Sequence, residues 1–450
     1  MKIVLTMNLP YFPTYGGANK GNRSLLEGFA RKGHEVSAVV AALGVPSPFT
    51  REQVLEKLAS EGVAVKSEDG ADVYTLNGVE VRAVAEPSQL RARLAEHLKR
   101  SRPDWVIVST EDASQSLLDA ALKALPGRVV YLVHSMSFLP FGPHAFFPGP
   151  SRVRLLGRAA AIVCVSRYVA GYVRRWGGLD STAIHLPSYG DGPFPRFGDF
   201  DRGYVTMVNP CAVKGISIFL ALAESMPHVS FAAVPTWGTT SADREALGRL
   251  PNVTLLKAAD DIDDIFKQTR VLLVPSVWGE GFPMIIVEAL LRGVPVVASD
   301  AGGNPETKLG TDFVIPVRPV ERFDEELDEN VVPIPVIPPQ DVGPWREALG
   351  RLLGDRALYE RQSRASREAA LEFVSGLSVE PFEELLSSLG AVAEVGAAPE
   401  AAADETPAPA AAREPAAPPN GAGLTPEQRT LLLLRLRRRA SREDSDKRAE

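Results

Sequence analysis

Short β-branched runs alternate with helix-length amphipathic stretches along most of this chain, and the alternation occurs twice. Strands separated by helices pair in parallel, because a parallel crossover needs a dozen or more residues and a helix is the usual way to span it. The first series places strands at 3–7, 35–40, 105–109, 129–134 and 161–165, with helices over 22–32 and 113–124. The second places strands at 204–208, 229–234, 253–256, 271–275 and 295–299, with helices over 216–225 and 284–291. Between them the chain passes Pro187 into Tyr189-Gly190-Asp191-Gly192-Pro193, the composition of a hinge.

Two series in 450 residues predict two α/β domains, since one core does not organise a chain of this length. Their expected bounds are 1–190 and 191–375, with an irregular Pro-rich and acidic insertion over 315–344. Helices resume at Trp345 and break near Gly376, and 376–390 is expected to be a helix packing back on the first domain. Residues 391–423 are mostly Ala, Pro, Glu and Gly, which bury too little apolar area to offset the entropy of ordering. A disordered linker is expected there, leading to a basic amphipathic helix over 424–442. Thr425 would be its N-cap and Pro426 its first residue, with the apolar stripe 431–434 flanked by Arg435, Arg437, Arg438 and Arg439.

Composition narrows the class of function. A net charge of −7 without a cationic run before the C-terminus points away from nucleic acid. Two cysteines, Cys164 and Cys211, are too few for a disulfide scaffold or a zinc site, so reduced thiols and a cytoplasmic location are expected. The N-terminus enters an apolar strand directly, and no apolar run nears the roughly 20 residues that span a bilayer. At most, peripheral membrane contact is expected.

The chemistry concentrates in residues 271–306, VLLVPSVWGEGFPMIIVEALLRGVPVVASDAGGNPE. A strand ends at Pro275-Ser276, a loop carries Gly279-Glu280-Gly281-Phe282, and a helix is expected to begin at Pro283, where a missing N–H costs little. Free amides and the positive end of the helix dipole suit phosphate or sugar hydroxyls, and Gly281 lets backbone approach a ligand. Glu280 and Glu288 bracket the turn, so their carboxylates are spread along one ligand rather than paired as a dyad. A carboxylate accepts hydrogen bonds from both hydroxyls of a vicinal diol.

This E-x7-E pattern, within GEGFPMIIVEAL-x-x-GVPVVASDAGG-x-PE, resembles the signature of family 4 retaining glycosyltransferases, and the order of elements matches from residue 1 to about 390. The resemblance implies the GT-B fold: two Rossmann-like domains facing across a cleft. It implies a hexose-type transfer from a nucleotide-diphosphate donor without a metal ion or other cofactor, to an acceptor the sequence does not identify. Glu280 would contact the donor sugar near the reacting centre, Glu288 would bind the ribose, and Phe282 and Pro283 would offer backbone groups. Gly16-Gly17 resembles the family's diphosphate-approaching loop, or is a plain turn. Lys214 resembles its diphosphate-binding lysine, but the arginine often found a few residues earlier is absent from Val208-Asn209-Pro210-Cys211-Ala212-Val213.

His134 occupies the place of a family histidine near donor sugar and acceptor; the alternative is a core histidine held by backbone. Glu111 and Asp112 either bind acceptor or are solvated loop acids. Ser166 either contacts phosphate or caps the next helix, and Trp237 either stacks on the base or packs. Lys257 and Ala258 lie where relatives line the base pocket. No Asp-x-Asp or His/Cys cluster supplies a clear divalent-metal site.

The tail LTPEQRTLLLLRLRRRA is similar to short docking segments of modular peptide and polyketide synthases, which implies a biosynthetic-enzyme partner. The alternatives are a frayed end or a weak membrane anchor. The rest of the chain also resembles transferases encoded with such pathways. Rival readings are an epimerase or phosphorylase on the same scaffold, or a catalytically silent scaffold protein.

Overall fold

Each strand series forms a sheet in which the first strand of the series lies in the middle. In the computed structural model, which describes residues 1–14, 16–44, 49–259, 261–330 and 332–395, the first sheet has nine strands. They are β1 (Lys2–Met7), β2 (Glu35–Ala41), β3 (Lys66–Glu68), β4 (Ala71–Leu76), β5 (Val79–Val84), β6 (Trp105–Ser109), β7 (Val129–Val133), β8 (Ala161–Cys164) and β9 (Thr182–Ala183). Their order is β3-β4-β5-β2-β1-β6-β7-β8-β9, parallel except for the β3-β4-β5 ribbon. β6 and β7 are buried at every position, because helices cover both faces.

The second sheet is all parallel: β10 (Tyr204–Val208), β11 (Phe231–Val234), β12 (Val253–Leu255), β13 (Thr269–Val274), β14 (Val296–Ser299) and β15 (Val314–Ile315), in the order β12-β11-β10-β13-β14-β15. Strand order reverses direction between β1 and β6 and again between β10 and β13. Loops at the carboxyl ends of such strand pairs diverge and leave a crevice, the usual ligand position in doubly wound sheets.

The structure departs from the sequence reading in several places. The antiparallel ribbon β3-β4-β5 was not expected. Its signal was present at Asn77-Gly78, whose φ values of 48° and 82° make the tight turn between β4 and β5. The 315–344 stretch is not wholly irregular: β16 (Arg322–Leu327) and β17 (Pro333–Val336) pair antiparallel. The first helix begins at Gly17 rather than 22. The helix expected at 113 begins at Ser116, because Asp112 draws the preceding turn around its carboxylate.

Three helices follow the second sheet, Gly343–Gly354, Arg356–Ser375 and Glu380–Val395. The last runs past 390, so the expected linker cannot begin at 391. Its first turn meets the first domain: Phe382 packs edge-on against Phe29 at 5.9 Å, Lys32 pairs with Glu380 and Glu383 at 2.9 and 2.6 Å, and His34 reaches Glu383 at 2.9 Å. The remaining linker and the 424–442 helix lie outside the described residues. Among the described residues no helix is long and apolar enough to cross a membrane.

Candidate active site

The loops after β10 and β13 leave adjacent strands at the second sheet's switch point, which is why Lys214 and Glu280 meet although 66 positions separate them. Lys214 ends a short 3-10 turn, and Gly215 then takes φ 84° against the Pro275 carbonyl, where a Cβ would collide. The Lys214 ammonium lies 2.6 Å from Glu280 Oε1 and 5.2 Å from the Trp278 ring centroid. Ser276 donates its hydroxyl to the same carboxylate oxygen at 2.6 Å. Glu280 is 7% exposed, so its charge is answered inside the protein rather than by solvent.

Glycines let this loop be approached from both sides. A Cβ on Gly281 would collide with the His134 carbonyl of the first domain, and Cβ atoms on Gly302 and Gly303 would strike the backbone of Glu280 and Gly281. Gly303 N–H donates to the Glu280 carbonyl at 2.7 Å. Pro283 is the N-cap rather than the first helical residue, with φ −70° and ψ 94°, and the helix is Met284–Leu291. Phe282 turns its ring onto His185 at 4.9 Å and Phe373 at 6.0 Å.

Glu288 lies on that helix and is answered from the opposite domain. Its Oε1 sits 2.5 Å from the ammonium of Lys20, on the helix Gly17–Arg31. Gly16 caps this helix with φ 89° and ψ 164°, a conformation open essentially to glycine. A Cβ on Gly17 would be 3.6 Å from Met284 Sδ, so the first residues of the two helices adjoin. Two helix N-termini, two lysines and two carboxylates thus converge where the domains meet. The positive end of a helix dipole and an ammonium group each favour a bound anion.

His134 follows β7 beside the Glu280 loop. Its Nε2 is 2.8 Å from Asn22 Oδ1, and its backbone N–H donates to Thr110 Oγ1 at 3.0 Å. Burial lowers its pKa, against the opposing pull of Glu111, so the imidazole is neutral at physiological pH. Glu111 accepts from the Ser109 and Thr110 hydroxyls. Asp112 is buried and consumed structurally, accepting from the Ser114 and Leu117 amides and the Ser114 and Ser116 hydroxyls. Ser166 caps its helix through Val169 N–H at 3.1 Å and donates to the Gly281 carbonyl at 2.7 Å, tying the domains together.

Where the arginine is missing, the chain makes a buried turn. Asn209 takes φ 59° and accepts from Gly238 N–H at 3.0 Å, and burial pushes the Cys211 thiol up to about 12. Trp237 is exposed.

Sequence reasoning missed three participants. Lys20 lies one turn beyond the glycine pair, a spacing that puts it on the same helix end. Asn22 lies two residues further on and shows no signal of its own. Glu306, in the GNPE run, accepts from His185 at 2.7 Å and from the Arg167 and Tyr168 amides at 3.1 and 3.2 Å, which fastens the second domain to the first. Among the described residues no group of three or more His, Cys, Asp or Glu side chains is arranged to hold a metal ion.

Two switch-point crevices facing each other, with carboxylates and lysines between them, have the arrangement of the GT-B fold. Residues 15–186 match the family described as Glycosyltransferase Family 4, and residues 204–330 match Glycosyl transferases group 1, so each domain has its own assignment. An exopolysaccharide phosphotransferase of Streptomyces coelicolor is 30% identical over 147 residues, 32% of this chain, and the chain spans 13% of that relative's length. A phosphatidyl-myo-inositol mannosyltransferase of Mycolicibacterium smegmatis is 27% identical over 325 residues, covering 65% of this chain and 75% of the relative. The crystal structure of Anabaena HepE in complex with UDP-glucose superposes with TM-score 0.60 at 15% identity, covering 87% of this chain and all of that one.

Proposed function

We propose that this chain transfers a hexose-type sugar from a nucleotide-diphosphate donor with retention at the anomeric carbon and without a metal ion. The observation that carries this reading is the convergence of the Lys214–Glu280 and Lys20–Glu288 pairs on two adjoining helix starts. Each pair offers a cation for a diphosphate and a carboxylate for hydroxyl groups. The diphosphate takes over Lys214, which frees Glu280 to accept from hydroxyls of the donor sugar. The ribose diol takes over Glu288.

The anomeric C–O bond to the leaving phosphate breaks as the acceptor oxygen bonds to the same face. The departing phosphate oxygen takes the acceptor proton. Lysine charge and helix amides stabilise the negative charge that develops on the diphosphate, the kind of preorganised contact that contributes most to such transfers. With neither metal nor covalent intermediate in the scheme, positioning carries the rate.

The test is donor hydrolysis over a panel of UDP-, GDP- and dTDP-sugars, beginning with UDP-glucose. Release of free sugar with one nucleotide, unaffected by a chelator and with the donor's anomeric configuration kept in the first-formed product, is the expected result. An inverted anomer, or activity abolished by the chelator, overturns retention or metal independence respectively.

The 424–442 segment is proposed to dock a biosynthetic enzyme in a reducing, cytoplasmic setting. Pull-down of that enzyme should require the segment, while transfer to a free acceptor should survive its removal.

A further inference from the structure

Both oxygens of the Glu111 carboxylate are connected to His134, one through the Thr110 hydroxyl and the other through the Ser109 hydroxyl and the Asn22 amide. Oε1 accepts from Thr110 Oγ1 at 3.2 Å, and Thr110 Oγ1 in turn accepts from the His134 backbone N–H at 3.0 Å. Oε2 accepts from Ser109 Oγ, which accepts from Asn22 Nδ2 at 2.8 Å, and Asn22 Oδ1 meets His134 Nε2 at 2.8 Å. Asn22 and Ser109 are completely buried, so water does not compete for these bonds.

Such a chain has only one self-consistent polarity. A carboxylate accepts and does not donate, so the Ser109 hydroxyl must point its single proton at Glu111. Its lone pairs are left to accept from the Asn22 amide NH₂, which turns the Asn22 carbonyl oxygen toward His134. A carbonyl oxygen also only accepts, so Nε2 must carry the imidazole proton. In a neutral ring the other nitrogen, Nδ1, is then a bare lone pair. Nδ1 makes no hydrogen bond to another described residue, whereas Nε2 is committed.

We infer that Glu111, Ser109 and Asn22 are positioning residues that lock His134 as its Nε2–H tautomer, so that Nδ1 accepts a hydrogen bond from a hydroxyl of the sugar or acceptor. This rests on the transfer reading for its catalytic half only; the tautomer itself is a property of the unliganded protein. Glu111 thereby acts through His134 rather than as an acceptor ligand.

Long-range ¹⁵N–¹H NMR of the ¹⁵N-histidine-labelled full chain, with His134 assigned by its loss in His134→Gln, reads the tautomer without any donor. The wild type should show His134 protonated at Nε2 and bare at Nδ1. Ser109→Ala removes the link that carries the polarity, and Nδ1–H should become populated; Ser109→Thr keeps the hydroxyl and should restore the lock. Donor-hydrolysis kcat should fall about tenfold in Ser109→Ala, the loss of roughly one well-placed hydrogen bond, with donor KM nearly unchanged and recovery in Ser109→Thr. An Nδ1–H ring in the wild type, or a tautomer indifferent to Ser109→Ala, overturns the lock whether or not the protein transfers sugar. A lock that is lost in Ser109→Ala while kcat holds overturns its catalytic role.

Discussion

Glu280 and Glu288 belong to one loop and the helix it leads into, yet the first is answered from its own domain and the second from across the cleft. Lys214 and Ser276 hold Glu280 through loops that follow adjacent strands of one sheet. Glu288 meets Lys20 on a helix of the other domain, and that ammonium's side chain is 38% exposed against 21% for Lys214. The Glu280 pair is therefore set by the second domain alone. The Glu288 pair exists only while the domains are together, and it is the more open to salt and to displacement by a ligand.

The two pairs should respond differently to mutation. Glu280→Ala should have the largest effect, lowering turnover by about 10²–10³-fold, the usual loss for a contact realised at the reacting centre. Steady-state kinetics with saturating donor checks this, and near-full activity would break the assignment. Glu288→Ala should instead raise donor KM about 10–100-fold with a smaller change in kcat, as expected for a lost charged hydrogen bond to the bound donor. Equal falls in kcat for both variants would erase the distinction between them.

Lys20→Ala should raise donor KM by roughly tenfold or less, and the effect should shrink at high ionic strength. A double-mutant cycle with Glu288→Ala in the free protein should give a coupling of about 0.2–1 kcal/mol, the range of partly exposed pairs. Lys214 offers the control, because its less exposed pair should be less sensitive to salt.

The smallest expected effect concerns the tether between domains. Burial alone would raise the Glu306 carboxyl, but His185 and the Arg167 and Tyr168 amides together hold it below its ordinary 4.5. A depressed folded value means that this stabilisation is present above the unfolded value and disappears as pH falls through the lower folded one. Thermal melts of wild type and Glu306→Gln should differ by a few degrees at neutral pH, and the gap should close in acid. A gap independent of pH would remove Glu306 as the source.

Chain chemistry alone determined the alternation of strands and helices, and with it two sheets built mainly of parallel strands whose loops face a cleft. Periodicity and β-branching are local, so they are visible without coordinates. The E-x7-E spacing and Lys214 were legible for the same reason: a loop and the helix it leads into carry both acids, and the loop after a strand carries the lysine. The β3-β4-β5 ribbon escaped despite Asn77-Gly78, since three short, partly charged strands look like loop until the turn is recognised. Which side chains answer Glu288, tie Glu306 and orient His134 was decided only by tertiary structure. Lys20, His185 and Asn22 come from elements far away in the chain, and no local pattern encodes pairings that form only when the first domain folds, as for Asn22 with His134, or when the two domains meet, as for Lys20 and His185.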